Sequence, residues 1–136
     1  MPSITGIAHV ELSVRDLDAS TAWYAHVFGM KPVWDGEDRA QGIVARALLE
    51  PESGLVLALT RHDTVVGEAF DARRPGLDHL SFAVSDRAAL RAWEQRLTAL
   101  GVAYTPFEEW SHGAAVTLCD PDGIALELYV RGAAQA

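Results

Sequence analysis

Three ionisable side chains stand in stretches that otherwise read as apolar strands: His9 in "GIAHVELSV", His79 in "GLDHLSFAV" and Glu127 in "IALELYV". Two imidazoles and one carboxylate, with coordination positions left open, form the donor set that holds Fe(II), and related sets hold Mn, Ni, Co or Zn. A carboxylate in so apolar a context is costly unless it is paired, protonated or bound to a metal. Exposure on an edge strand is the competing explanation for Glu127. Taken alone, either histidine is better explained as a hydrogen-bonded core or surface residue. The case for a site rests on their coincidence.

That coincidence is structured by a repeat. His9 and His79 are 70 positions apart, and the same offset pairs Val14 with Val84, Asp16 with Asp86, Ala22 with Ala92, Trp23 with Trp93 and Pro51 with Pro121. A duplication explains these pairs better than two unrelated βαβ-like pieces do. Each half reads as a strand, a helix, and further strands joined by at least one hairpin. The halves run over about 4–62 and 75–131, joined by a polar linker from about Arg61 to Pro75, so that the whole chain is expected to act as one domain.

The elements that must position the three residues carry local signals. Asp86 is placed to cap a helix with the apolar stripe Leu90, Trp93, Leu97 and Leu100, stopped by Gly101. In the first half Asp16 or Asp18 is the cap, Trp23, Val27 and Met30 the stripe, and Gly29 the stop. "DPDG" is a hairpin turn and "EPESG" its looser counterpart. Stretches 34–42 and 104–112 read as variable loops, whose Trp34, Phe107 and Trp110 suggest an aromatic or largely apolar ligand. Alternation along the strands puts Val10, Leu12 and Val14 on one face and His9, Glu11 and Ser13 on the other. Leu80, Phe82 and Val84 oppose His79, Ser81 and Ala83, while Leu126 and Leu128 oppose Glu127 and Tyr129.

Composition narrows the function classes. The chain has 136 residues, 49% of them hydrophobic, and a formal charge of −8, which disfavours nucleic acid or an anionic membrane as partner. Cys119 is the single cysteine, so no intrachain disulfide forms. No segment reads as a signal peptide or a membrane helix, and the expectation is a soluble cytoplasmic protein.

The stretches "IAHVELSVRDLDASTAWYAHVFGM", "LDHLSFAVSDRAALRAWEQRLTALGV" and "DPDGIALELYV" together resemble the vicinal oxygen chelate superfamily of glyoxalase I, bleomycin-resistance proteins, fosfomycin-resistance enzymes and extradiol dioxygenases. The resemblance implies an α+β fold of two tandem βαβββ modules, with curved mixed sheets enclosing a cavity and helices outside. It also implies metal ligands on the first strand of each module and on the last strand, matching His9, His79 and Glu127. It further implies a homodimer, in some members with modules exchanged between chains. Four-ligand members carry another acid on the last strand of the first module. Aligning Gly54 with Gly123 puts Ala58 at that position, which argues against a strict glyoxalase I assignment and towards a three-ligand site.

Other residues are candidates for the proton chemistry. His62 lies four positions after Ala58, on the same face if the strand extends that far, about 13 Å along it. Glu11 shares the face of His9, about 7 Å further on, and Tyr129 stands two beyond Glu127. A loop histidine, a solvated strand residue and a packed wall are the respective alternatives. His112, in "EWSHG", is placed to cover the cavity, and His26 reads as a helix-surface residue. The leading expectation is a metal-dependent lyase/isomerase or ring-cleaving dioxygenase, binding a small oxygenated metabolite through neighbouring oxygens on the divalent ion. The alternative is a non-catalytic binding protein that sequesters an antibiotic or aromatic ligand; a fosfomycin-type transferase would need a cation-rich anion pocket.

Overall fold

Each helix begins at a carboxylate and ends at a glycine. In the computed structural model, which describes residues 1–64 and 69–132, Asp16 caps α1 (Leu17–Phe28) by accepting a hydrogen bond from the Ala19 N–H at 2.9 Å. Asp86 caps α2 (Arg87–Leu100) in the same way, from Ala89 N–H at 2.8 Å. Gly29 and Gly101 stop the helices with φ of 70° and 67°, a left-handed conformation that side chains with a Cβ resist. In α2 Leu90 and Leu97 are buried as expected. In α1 the buried stripe is Leu17, Ser20, Thr21, Tyr24 and Val27. Tyr24 rather than Trp23 is the fully buried aromatic, because Tyr24 lies one turn from Ser20 and Val27 and two turns from Leu17 on the sheet-facing side.

The chain divides into two compact units, Met1–Glu68 and Ala69–Ala136. The first holds β1 (Val10–Ser13), α1, β2 (Lys31–Asp38), β3 (Ile43–Leu49) and β4 (Val56–His62). Its open four-stranded sheet has the order β1-β4-β3-β2, with β1 parallel to β4 and the remaining pairs antiparallel. The second holds β5 (Leu80–Ala83), α2, β6 (Tyr104–Trp110), β7 (Gly113–Cys119) and β8 (Ala125–Arg131), in the sheet order β5-β8-β7-β6 with the same sense of each pairing. Each unit is therefore a βαβββ module with a mixed sheet, as the resemblance implied. Among the described residues no helix is long and apolar enough to cross a membrane.

One face of each sheet is committed to its helix. Leu12, Leu57, Leu59 and Leu48 in the first unit, and Leu126, Leu128, Val116 and Leu118 in the second, are buried almost completely. Each such leucine stabilises its unit by roughly 1.5–3 kcal/mol relative to exposure. The turns that follow β3 and β7 are built alike. The Glu50 carboxylate accepts from Ser53 N–H at 2.7 Å and Ser53 Oγ at 2.6 Å. Asp120 Oδ1 accepts from Asp122 N–H at 2.9 Å and Ile124 N–H at 2.8 Å. "EPESG" is one residue longer than "DPDG", so β4 and β8 correspond at an offset of 69 instead of 70. That single insertion is why Ala58 and Glu127 occupy equivalent rungs.

Several boundaries differ from the sequence reading. The stretches taken as loops at 34–42 and 104–112 are largely strand: Trp34–Asp38 belong to β2 and Tyr104–Trp110 to β6. Both are edge strands broken by a bulge next to a proline, Pro32 and Pro106, and an edge strand with solvent on both sides has no apolar alternation to detect. Arg61 is not in a linker but is paired in β4 with Val44. Residues 65–68 of the expected linker lie outside the described residues.

Candidate functional site

The face of the second sheet turned away from α2 carries the chemistry. Alternation along β8 puts Glu127, Tyr129 and Arg131 on this face, and the register sets Ser81 of β5 and Thr117 of β7 on either side of Glu127. Edge exposure does not account for Glu127, since β8 is paired on both sides. Its side chain is 17% exposed, and Ser81 Oγ donates to Glu127 Oε2 at 2.7 Å. A hydroxyl donating to a carboxylate is a strong contact, and it fixes Oε2, the same oxygen that faces His79.

His79 is not inside a strand. It is the residue before β5, and His9 likewise directly precedes β1. The short strands pair only four residues each, so the histidines stand where the chain enters the sheet. At that position His79 makes two approaches. Its Nδ1 is 2.6 Å from Asp78 Oδ1, and its Nε2 is 3.7 Å from Glu127 Oε2. A carboxylate only accepts, so the proton belongs on Nδ1, and the neutral ring then carries its lone pair on Nε2. This is the orientation that ligating histidines commonly take, with a carboxylate behind the ring.

The spacing suits a shared ion. Two donors each about 2.1 Å from one metal are about 3.0–3.4 Å apart across an octahedral or tetrahedral edge. The 3.7 Å between His79 Nε2 and Glu127 Oε2 is a few tenths wider. Two of the three expected donors thus converge within one unit and fit a divalent ion. Among the described residues no group of three His, Cys, Asp or Glu side chains lies close enough to hold one ion. His9 belongs to the first unit, where it is exposed.

Around the pair lies an open concavity of about 610 Å³. Its wall is an aromatic series: Trp110 stacks on His112 with centroids 5.8 Å apart, and His112 on Tyr129 at 6.5 Å. The Tyr129 hydroxyl donates to the His112 carbonyl at 2.7 Å, so its one proton is engaged. The ring lies flat against β7 because residue 113 is glycine. A Cβ there would meet Tyr129 Oη at 2.3 Å, closer than any real contact. His112 lines the concavity as expected, and Arg131 adds a guanidinium at its rim. Phe107 does not take part; its ring lies under Arg91 of α2, 5.4 Å from the guanidinium carbon.

In the first unit the matching face carries His9, Glu11, Ala58, Thr60 and His62. β4 runs far enough to include His62, which pairs with Ile43 and shares the face of Ala58. Thr60 Oγ1 donates to Glu11 Oε1. His26 is exposed on α1. Asp78 and Arg131 are the residues that sequence reasoning passed over. The signal for Arg131 was one further step of the alternation from Glu127 and Tyr129; for Asp78 it was an acid next to a proposed ligand.

The arrangement of both units agrees with known proteins. The model of the Glyoxalase/Bleomycin resistance protein/Dioxygenase superfamily matches residues 6–128. A glyoxylase/bleomycin resistance protein/dioxygenase domain from Frankia sp. EAN1pec, known from its crystal structure, is 38% identical with a TM-score of 0.86, covering 96% of this chain and 100% of that one. Metallothiol transferase FosB of Shouchella clausii is 26% identical over 129 residues, 93% of this chain and 80% of the relative. The fosfomycin resistance protein FosX of Listeria monocytogenes, crystallised with Mn(II) and sulfate, is 22% identical with a TM-score of 0.68, over 97% and 96% of the two chains, a likeness in fold. With two βαβββ modules, a donor pair on the free face of the second and a family match over almost the whole length, this chain belongs to the glyoxalase/bleomycin resistance protein/dioxygenase superfamily.

Proposed function

We propose that the protein is a metal-dependent enzyme acting on a small oxygenated metabolite by lyase/isomerase or ring-cleaving chemistry. The observation that carries this reading is the convergence of His79 Nε2 and Glu127 Oε2 at 3.7 Å, with Asp78 behind the imidazole. His9 is the third ligand in this reading, and Fe, Mn, Ni, Co or Zn is the ion. A bound divalent ion would supply Lewis-acid stabilisation of charge developing on two neighbouring substrate oxygens.

The chain's own residues do the rest. Asp78 holds the His79 ring in one tautomer, and Ser81 holds the Glu127 carboxylate. Trp110, His112 and Tyr129 form a wall that orients a flat or apolar portion of the substrate and excludes water from one side. His62, at the end of β4, is the group best suited to move a proton, a role worth about 10²–10⁴-fold in rate. Tyr129 serves as wall, since its proton is already donated. The protein acts in the cytoplasm as a homodimer in this reading.

The test is metal analysis of protein purified without chelators or a polyhistidine tag. One ion per chain, lost in both His79→Ala and Glu127→Ala, is the expected result; no ion, with no gain on adding Fe(II), Mn(II), Ni(II) or Zn(II), would sink the reading.

The aromatic wall favours a second reading, sequestration of an aromatic compound without turnover. Tight quenching of Trp110 fluorescence by an aromatic drug, unchanged by chelators and by Glu127→Ala, would select it. A thiol-transfer activity, suggested by the likeness to a metallothiol transferase, asks for several cations around an anionic group. Arg131 is the one guanidinium among the described residues of the concavity, which suits a neutral or singly charged ligand better.

A further inference from the structure

The concavity of the second unit has two unlike ends. Glu127, Tyr129 and Arg131 follow one another at steps of two on the free face of β8, which puts the acid and the arginine about 13 Å apart along the strand. Arg131 shares a rung with Gly113 and Trp110, so the arginine and the tryptophan stand on strands about 9.6 Å apart. Only a glycine separates them, and the space its missing side chain leaves is floored by the Tyr129 ring. Trp110, Tyr129 and Arg131 all line the concavity.

The aromatic wall at the Arg131 end is fixed from behind. The His112 carbonyl accepts from the Gly132 N–H at 2.8 Å as well as from the Tyr129 hydroxyl at 2.7 Å, which ties the β6–β7 turn to the end of β8. The rings of Trp110 and His112 are 10° from parallel and those of His112 and Tyr129 28°. A wall set in advance takes a flat ring at little cost in ordering.

Arg131 differs from the other arginines. Arg39, Arg46, Arg61, Arg73 and Arg87 pair with carboxylates. Arg91 and Arg96 lie over the rings of Phe107 and Trp93, and Arg15 and Arg74 have partners of their own. The chain has 19 acidic residues against 11 basic ones, yet among the described residues no carboxylate or ring is paired with the Arg131 guanidinium. A planar fork of donors without an internal acceptor, at the mouth of a concavity, matches a carboxylate bidentately. One guanidinium balances one negative charge. A dianion would leave the second charge uncompensated in a concavity that already holds Glu127.

We propose that this concavity takes a planar aromatic monocarboxylate, its ring against Trp110 and His112 and its carboxylate on Arg131. The inference rests on the reading of the concavity as the ligand site, which the catalytic and the sequestering readings share. Arg131 is then the residue that sets specificity for charge, and the wall sets specificity for shape.

The experiment is an NMR titration of the whole chain with 2-naphthoate and its neutral counterpart 2-naphthamide, as purified and again with chelator present. The naphthoate is expected to bind at least about tenfold more tightly, the lower end for a hydrogen bond to a charged group, and to shift the Trp110 indole N–H, assigned from its loss in Trp110→Phe. Arg131→Gln should bring the two affinities close together by weakening the naphthoate alone, and Arg131→Lys should keep part of the difference. Equal affinities in the wild type, a preference that survives Arg131→Gln, or no binding of either compound overturns the proposal. Tighter binding of 2-naphthyl phosphate than of the naphthoate overturns the choice of a monoanion. A preference abolished by chelator also overturns it, because the carboxylate then sits on an ion and not on Arg131. A preference that chelator leaves intact, in a chain that binds no divalent ion, supports the proposal while the metal reading fails alone.

Discussion

The rung through the middle of the first sheet reads Glu11, Ala58, Ala47, Trp34; the equivalent rung of the second reads Ser81, Glu127, Thr117, Thr105. On the helix-facing sides β4 and β8 show no such divergence: Leu57 and Leu59 correspond to Leu126 and Leu128, all fully buried, although β3 sets Arg46 beside Leu59 where β7 sets Val116 beside Leu128. A duplicated module keeps the face that its own helix covers, because any loss of volume there costs stability directly. The opposite face is released from that demand and can differentiate. In the second unit it has acquired a carboxylate in the sheet's interior and a carboxylate-backed histidine; in the first it holds small side chains and an acid at the edge.

The largest effects should therefore be equal in the two units. Leu59→Ala and Leu128→Ala are each expected to cost about 2–5 kcal/mol in urea unfolding, the range for emptying a packed leucine site. A twofold or greater difference between them would break the equivalence of the helix-facing sides. Next in size comes the asymmetry of the histidines. Asp78 corresponds to Ala8 in the repeat, so Asp78→Ala makes the surroundings of His79 like those of His9. Divalent-metal affinity should fall by about 10–100-fold, as for other residues that orient a ligand, with Asp78→Asn recovering part of it. Equal affinity in all three proteins would show that the 2.6 Å contact does not orient the ring.

Gly113→Ala probes the aromatic wall. The added methyl would meet the Tyr129 ring and the Val130 carbonyl oxygen, each within 2.5 Å, and the expected cost is about 1–3 kcal/mol of stability, recovered in part by Tyr129→Ala in the same chain. Full tolerance of the alanine would mean that Tyr129 does not lie against β7.

The smallest effect distinguishes the two turns by pH. Hydrogen bonds from Ser53 and Glu52 lower the Glu50 pKa from its usual 4.5, against a smaller opposing effect of burial. A group depressed in the folded state adds stability that is present above its unfolded pKa and is lost as the pH falls through the folded value. Replacing Glu50 by Gln should therefore cost a few tenths to about 1 kcal/mol at neutral pH, and the difference from wild type should vanish under more acidic conditions than pH 4.5. A difference that persists below the folded pKa would assign the effect to the side-chain shape alone.

The sequence exposed what is repeated or periodic. Asp16 and Asp86 precede their helices, "DPDG" closes its hairpin, and the alternation around Glu127 separates the packed face from the free one. It left out what depends on neighbours in space. β2 and β6 are edge strands whose polar residues face solvent, so they carry no burial pattern. Tyr24 and Trp23 are adjacent aromatics, and only the sheet's position selects which is buried. Asp78 escapes because successive side chains of a regular strand point apart; its contact with His79 exists because both residues precede β5.

The central claim is that the free face of the second unit holds a divalent ion between His79 and Glu127. Calorimetric titration of the chelator-stripped chain with Mn(II), Ni(II) and Zn(II) tests it most directly, beside His79→Ala and Glu127→Ala. Saturable binding of at least one of the three ions at one per chain, abolished in both variants while their melting temperatures stay near wild type, is expected. Binding that survives either substitution unchanged, or no binding by the wild-type chain, would contradict it.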